Sequence, residues 1–219
     1  MNDSWYQIIF FVSIASIALG TFSAIRQTNI KRLLAYSSIA HIGFALIGVL
    51  SFPNLDGIQS LLLYMLIYLV TTLGIFSCII SLEITEGESI TKIDDFSGIS
   101  KNYPFTAFTI AMFMFSYAGI PPLGGFFAKY LIFRSAIDNG LIFLSVFGLL
   151  LSVIGAFYYI RIVKLMYFDE PKTIVKKSFS KSLNFTNTIC LIFIITFIFI
   201  ITIAPITELT ETAAIALAN

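Results

Sequence analysis

The sequence predicts an all-α integral membrane protein with about six transmembrane crossings, one of them a discontinuous helix broken near Pro121-Pro122. Three observations carry that expectation. Hydrophobic residues make up 58% of the 219 positions and charged residues only 11%, where soluble domains carry roughly 25%. The apolar residues fall in runs of about 20, enough to span a bilayer as α-helix, and the short alternating segments of a β-barrel are missing. One run is interrupted at mid-length by "GIPPLGG", residues 119–125.

The first run, residues 4–25, follows Met-Asn-Asp-Ser-Trp. It has no basic segment before it and no small-residue cleavage site, so it is expected to be a span and not a signal peptide. "RQTNIKR" (26–32) separates it from a second span that runs to about Leu50. "SFPNLDG" (51–57) is a turn, punctuated by Pro53 and Gly57. The third span covers about 58–82. The longest polar stretch, 83–103, is expected to be an interfacial loop. Pro104 can open the next helix in its first turn, where a missing N–H costs nothing. That helix runs to Ile120, and the interrupted piece follows at 121–137. "DNG" (138–140) is a turn, 141–167 is another span, and a lysine-rich loop within 168–184 leads to a last span at about 185–204. Residues 1–219 read as a single membrane domain.

Lysine and arginine in short loops set orientation. Arg26, Lys31 and Arg32 place the first loop inside. The loop at 51–57 has no basic residue and faces out. Loop 83–103 then returns inside, and so must 161–181, with Arg161, Lys164, Lys172, Lys176, Lys177 and Lys181. The last requirement holds only if 104–120 and 123–137 are two halves of one crossing. The second half, about 15 residues or ~22 Å of helix, is short for a span by itself. Both termini are then outside.

A break at Gly119, Pro121, Pro122, Gly124 and Gly125 leaves backbone groups unpaired at a depth where lipid cannot satisfy them. Discontinuous helices are what ion-coupled transporters use to build sites near the midplane. Lys129 follows the break among phenylalanines and tyrosines. Burial lowers a lysine's proton affinity and a carboxylate raises it, so Lys129 is a candidate proton relay; the competing reading is a lysine that snorkels to the interface. Arg134, nearer the 138–140 turn, reads as a snorkelling anchor. His41, the single histidine, lies ten residues into the second span and is either a second candidate relay or a hydrogen-bonded packing group. Ser37 and Ser38 read as interhelical glue. Tyr64, Tyr68, Thr71 and Thr72 share one helical face, which borders either a hydrated path or another helix. Cys78 and Cys190 lie in apolar runs and read as packing thiols. The sequence carries no Cys/His spacing suited to zinc, haem or an iron–sulfur cluster and no phosphate loop. Net charge near zero implies no nucleic-acid partner. No Asp or Glu lies well inside an apolar span, although a proton channel needs acidic groups to modulate its lysines. The chain reads as part of something larger.

"RQTNIKRLLAYSSIAHIGFALIGVL" (26–50) and "FSYAGIPPLGGFFAKYLIF" (115–133) resemble the N-subunit family of proton-pumping NADH–quinone oxidoreductase, complex I, whose mitochondrial counterpart is NADH dehydrogenase subunit 2. "GISKNYP" (98–104) and "GAFYYIRIVKLMYF" (155–168) are similar to it too. The resemblance implies the second of two inverted repeats plus the last helix, with the family's half-channel lysine falling on Lys129. The glutamate and two lysines of the family's first repeat have no counterpart here. It also implies that this chain holds no cofactor, with NADH, FMN, iron–sulfur clusters and quinone handled by other subunits. The implied partners are the other complex I membrane subunits, a separate chain supplying the amino-terminal half, and the bilayer. The implied location is the bacterial inner membrane, or alternatively the mitochondrial inner membrane. A subunit of a multi-subunit cation/proton antiporter and a non-pumping structural remnant are the rival expectations.

Overall fold

The computed structural model describes residues 3–52, 55–85, 88–172 and 174–177, with short pieces at 188–189, 191–192, 210–213 and 215–216. Among them, helices α1 (Asp3–Ile25), α2 (Ile30–Leu50) and α3 (Leu55–Ile80) are followed by a hairpin of β1 (Leu82–Thr85) and β2 (Glu88–Ser89). A 3-10 turn (Ile93–Phe96) and the one-turn helix α4 (Ile99–Asn102) come next. The chain continues through α5 (Pro104–Ala118), α6 (Gly124–Asp138), α7 (Ile142–Phe168) and the short strand β3 (Lys176–Lys177). The protein is a multi-pass membrane protein, and its long helices match the apolar runs to within a few residues at either end.

Local signals start and stop the helices where the composition changes. The Asn29 side chain accepts hydrogen bonds from the backbone N–H groups of Lys31 (2.9 Å) and Arg32 (3.2 Å), which caps α2. Pro104 opens α5. Gly140, at φ +78°, closes the end of α6, a conformation that favours glycine. Small residues let α1 and α2 approach closely: a Cβ on Gly20 would strike the backbone of Ala40 and Tyr36, and Ser13 Oγ donates to the Gly43 carbonyl at 2.8 Å.

The orientation read from basic residues is consistent with how the loops meet. β1 pairs antiparallel with β2 on one side and β3 on the other. The α1–α2 turn joins the same face, through Ile30 N–H to Thr91 O (2.8 Å) and Ile93 N–H to Thr28 O (2.9 Å). Thus the polar segments after α1, α3 and α7 converge on one inner face. The stretch 83–103, expected to be a plain loop, instead builds a small sheet and two helical turns. Its strands are two to four residues long, too short for alternation to be visible in sequence. Most of the last span expected at 185–204 lies outside the described residues, which take in only 188–189 and 191–192 of it; Cys190 and residues 178–184 lie outside them too. On either side of it, Lys177 sits in the inner-face sheet, and Thr210 lies against Gln59 near the opposite end of α3 (3.4 Å).

The discontinuous helix is resolved by its neighbour. From its first residues onward, α3 places Ser60 and Leu63 beside Leu131 and Ser135 of α6. It then places Tyr64, Ile67 and Thr71 beside the break, and finally Gly74 against Phe113 of α5. One continuous 26-residue helix, about 39 Å long, therefore lies along both halves laid end to end. Each half has 15 residues, about 22 Å, which falls short of the hydrocarbon thickness of a bilayer.

In sealed membranes, single cysteines at Thr91 and Lys176 should be modified by an impermeant thiol reagent from the same side, and one at Asn139 from the other. Labelling of positions 91 and 176 from opposite sides would contradict this arrangement.

Candidate functional site

The site begins with the four carbonyls that α5 leaves unpaired at its C-terminus. Gly119, at φ +80°, turns the chain so that Ile120 N–H returns to Phe115 O (3.0 Å) and Gly119 N–H to Ser116 O (3.0 Å). This is a Schellman closure, and it satisfies two of the four. The other two go to a side chain from beyond the break. Lys129 Nζ donates to Tyr117 O at 2.9 Å and lies 3.5 Å from Ala118 O. Helical side chains lean toward their own N-terminus, so a residue in the second turn of α6 points back at the end of α5. The ammonium thus meets the negative end of a helix dipole. It also donates to Ser152 Oγ of α7 at 2.8 Å and lies 5.3 Å from the centre of the Phe44 ring.

Lys129 is only 8% exposed, so it does not snorkel. Arg134, by contrast, is exposed and faces Asp138 at 3.9 Å near the outer end of α6, the placement expected of an anchor. Pro121-Pro122 is a cis peptide within the break. Ser116 joins the two halves: its carbonyl closes α5, and its Oγ accepts from Gly125 N–H at 3.2 Å. Gly125 lies so close that a Cβ would overlap the Ser116 carbonyl. Gly124, the first residue of α6, is buried.

His41 belongs to a chain of hydroxyls. Its Nδ1 is 2.6 Å from Tyr64 OH and its Nε2 3.1 Å from Tyr159 OH, which in turn bonds Ser37 Oγ. Beside this chain, Tyr68 OH donates to Ser38 Oγ (2.7 Å), and Thr72 Oγ1 and Tyr117 OH are 2.8 Å apart. The hydroxyl-bearing face of α3 therefore makes interhelical bonds and also lines a space. That space is a cavity of about 10 Å³, bordered by His41, Tyr64, Thr71, Ser116, Tyr117 and Lys129 among others. It has room for about one water. Lys129 and His41, 88 residues apart in sequence, thus face a common cavity.

Toward the outer face a second, polar cavity of about 220 Å³ lies between α3 and α6, lined by Asp56, Gln59, Ser60, Arg134, Ser135 and Asp138. Ser135 Oγ is the one buried side-chain polar atom without a partner among the described residues. A buried hydroxyl left in that state is costly. Buried Leu63, Ile67, Ala128 and Ile132 separate the two cavities.

Sequence reasoning selected Lys129, His41 and the break. It passed over Tyr117, Ser116, Ser135, Ser152 and Tyr159. A signal was present for two of these: Ser145, Ser152 and Tyr159 recur every seven residues, so they share one face of α7. Among the described residues, no cluster of three or more His, Cys, Asp or Glu side chains could hold a metal ion. Cys78 is buried.

A bundle of apolar helices with one helix broken around a buried lysine defines a class of membrane-embedded proteins built on a discontinuous helix. The comparisons narrow it. The profile described as "NADH:quinone oxidoreductase/Mrp antiporter, TM" matches residues 1–155, and the chain belongs to that family. It is 54% identical over 168 residues to NADH-quinone oxidoreductase subunit N 1 of Rhizobium meliloti (strain 1021), a match that takes in 77% of this chain and 35% of the relative. The chain thus spans about a third of the length of the curated relatives it matches. A chain of respiratory complex I from Thermus thermophilus shares the fold with a TM-score of 0.80 at 24% identity, over 90% of this chain and 44% of that one. A chain of the Mrp complex from Dietzia sp. DQ12-45-1b does so with 0.84 at 19%, over 98% and 48%.

Tyr159→Phe should leave Nε2 of His41 and the Ser37 hydroxyl without their shared partner. The expected cost is about 1–3 kcal/mol, read as a lower thermal midpoint of the purified assembly. Gly125→Ala should cost more, because the backbone of Ser116 must move; an unchanged midpoint for that variant would count against the tight junction of α5 and α6.

Proposed function

We propose that this chain is a membrane-arm part of an NADH–quinone oxidoreductase, contributing a proton-translocation half-channel coupled to quinone reduction elsewhere in the complex. The observation that carries the reading is the placement of Lys129. It is a buried cation held only by neutral oxygens, on a broken helix, facing the same water-sized cavity as His41. A group so placed can take up and release a proton without breaking an ion pair. Lys129 is the relay, His41 is the second candidate relay, and Gly119, Pro121, Pro122, Gly124 and Gly125 form the break that exposes the carbonyls. The polar cavity at Ser135 opens this half-channel toward the outer face, and the apolar layer between the cavities keeps it closed at rest.

In this reading residues 1–219 correspond to the second inverted repeat plus the last helix of a longer subunit. A separate chain supplies the amino-terminal half, and the neighbours are other membrane subunits of the arm. NADH, flavin, iron–sulfur clusters and quinone are handled by other subunits, and the complex resides in a bacterial inner membrane. The 54% identity to a subunit N supports this reading. The likeness to the Mrp complex favours a second one, a subunit of a cation/proton antiporter. Co-purification distinguishes them: NADH-oxidising subunits accompany the chain in the first case and not in the second.

Lys129→Ala removes the relay, and Lys129→Arg keeps a charge that cannot be released. Both should lower NADH-driven proton translocation in membrane vesicles to roughly a tenth or less of wild type, at normal complex content on a native gel. Arg134→Lys should have little effect. Wild-type pumping by Lys129→Arg would remove the relay role from Lys129.

A further inference from the structure

We infer that the turn between α1 and α2 is a binding site for an anionic glycerophospholipid of the inner leaflet. The turn carries Arg26, Lys31 and Arg32 within seven residues. The fold adds a fourth cation that the sequence alone does not place there: the bridge of Asn29 to Lys92, held by the bonds from Ile30 and Ile93, fixes Lys92 against the turn. Elsewhere on this face several cations have carboxylate partners, Lys101 with Glu170, Lys164 with Asp169 and Lys172 with Asp94. Arg26, Arg32 and Lys92 take part in none of the ion pairs among the described residues.

Two surface notches flank the turn, and each has an arginine with apolar side chains beside it. One, of about 520 Å³, is lined by Gln27, Arg32, Ala35, Tyr36 and Ile39. It follows α2 for seven residues, about 10 Å into the bilayer. The other, of about 420 Å³, is lined by Phe22, Ser23, Ile25 and Arg26 on α1. Exposed Phe22 and Ile39 supply the surface that an acyl chain would cover, and Tyr36 stands one turn deeper than Arg32. A charged end at the water boundary followed by an apolar furrow is the polarity of a phospholipid. A guanidinium is suited to grip a phosphate, and basic pockets between transmembrane helices on the inner side take anionic headgroups. A free phosphate ion shares the headgroup chemistry but leaves the apolar furrow uncovered.

The test uses the full chain in its native membrane assembly, purified through an affinity tag and exposed to photoactivatable phosphatidylglycerol or phosphatidylcholine. The adducts are mapped by peptide mass spectrometry. Phosphatidylglycerol should label residues 22–39 at least tenfold more than phosphatidylcholine. A basic residue near the surface is worth roughly fivefold in anionic-lipid affinity. Arg26→Gln with Arg32→Gln should therefore lower the labelling about 25-fold, while Arg26→Lys with Arg32→Lys retains most of it and Lys172→Gln changes nothing. Unlabelled phosphatidylglycerol should compete and millimolar inorganic phosphate should not. Equal labelling by both lipids, labelling abolished by phosphate alone, or a face that takes no lipid because a protein covers it would each overturn the inference.

Discussion

Everything at the centre of this molecule depends on one obligation: the last carbonyls of α5 end inside a membrane, where neither lipid nor bulk water can pair them. The chain meets it from two directions. A glycine in the left-handed region folds the next amides back onto Phe115 and Ser116, and a lysine from the far side of the break takes the oxygens of Tyr117 and Ala118. The same contact that completes the helix end therefore holds a buried lysine at the break. Remove the lysine and two carbonyls are orphaned; remove the break and the lysine has nothing to hold. Structure and chemistry here share one set of hydrogen bonds.

The surrounding helices are arranged around that obligation. α3 is continuous and spans both halves, so it acts as the splint along which α5 and α6 are aligned. α7 contributes Ser152 to the ammonium and Tyr159 to the histidine. α2 contributes His41 and the ring of Phe44. Four helices, α2, α3, α5 and α6, line a space that holds about one water, and α7 braces two of its residues from behind. With so little room, the position of each hydroxyl is set by its neighbours rather than by solvent. That is how a hydrogen-bonded chain keeps a defined order in a medium that favours none.

Much of this was legible in the sequence, for physical reasons. Apolar runs of bilayer length cannot be disguised, so α1, α2, α3 and α7 were placed to within about three residues. Loop cations dictated that the interrupted segment be a single crossing. Gly119, Pro121 and Pro122 marked the break because glycine favours the left-handed backbone that ends a helix and proline lacks the N–H that would continue one. The inner-face sheet was not legible: its strands are too short to show alternation, and β3 pairs with β1 from more than 90 residues away. The tyrosines of the site were hidden for a different reason. Tyr117 and Tyr159 are amphipathic, and in a chain with ten tyrosines nothing local distinguishes one that packs from one that bonds a histidine. Only their meeting across three helices does.

The apolar layer formed by Leu63, Ile67, Ala128 and Ile132 also has an electrical meaning. A transmembrane voltage falls mainly across material that cannot polarise, and much less across polar or hydrated space. The outer cavity, with its carboxylates, amide and arginine, is polarisable, and the hydroxyl network on the inner side is too. The four apolar side chains between them are not. On that principle the field is steeper across this apolar layer than across the polar spaces on either side of it. A charge that moves past this layer does a large share of the work of crossing the whole membrane, up to about 2.3 kcal/mol for each 100 mV.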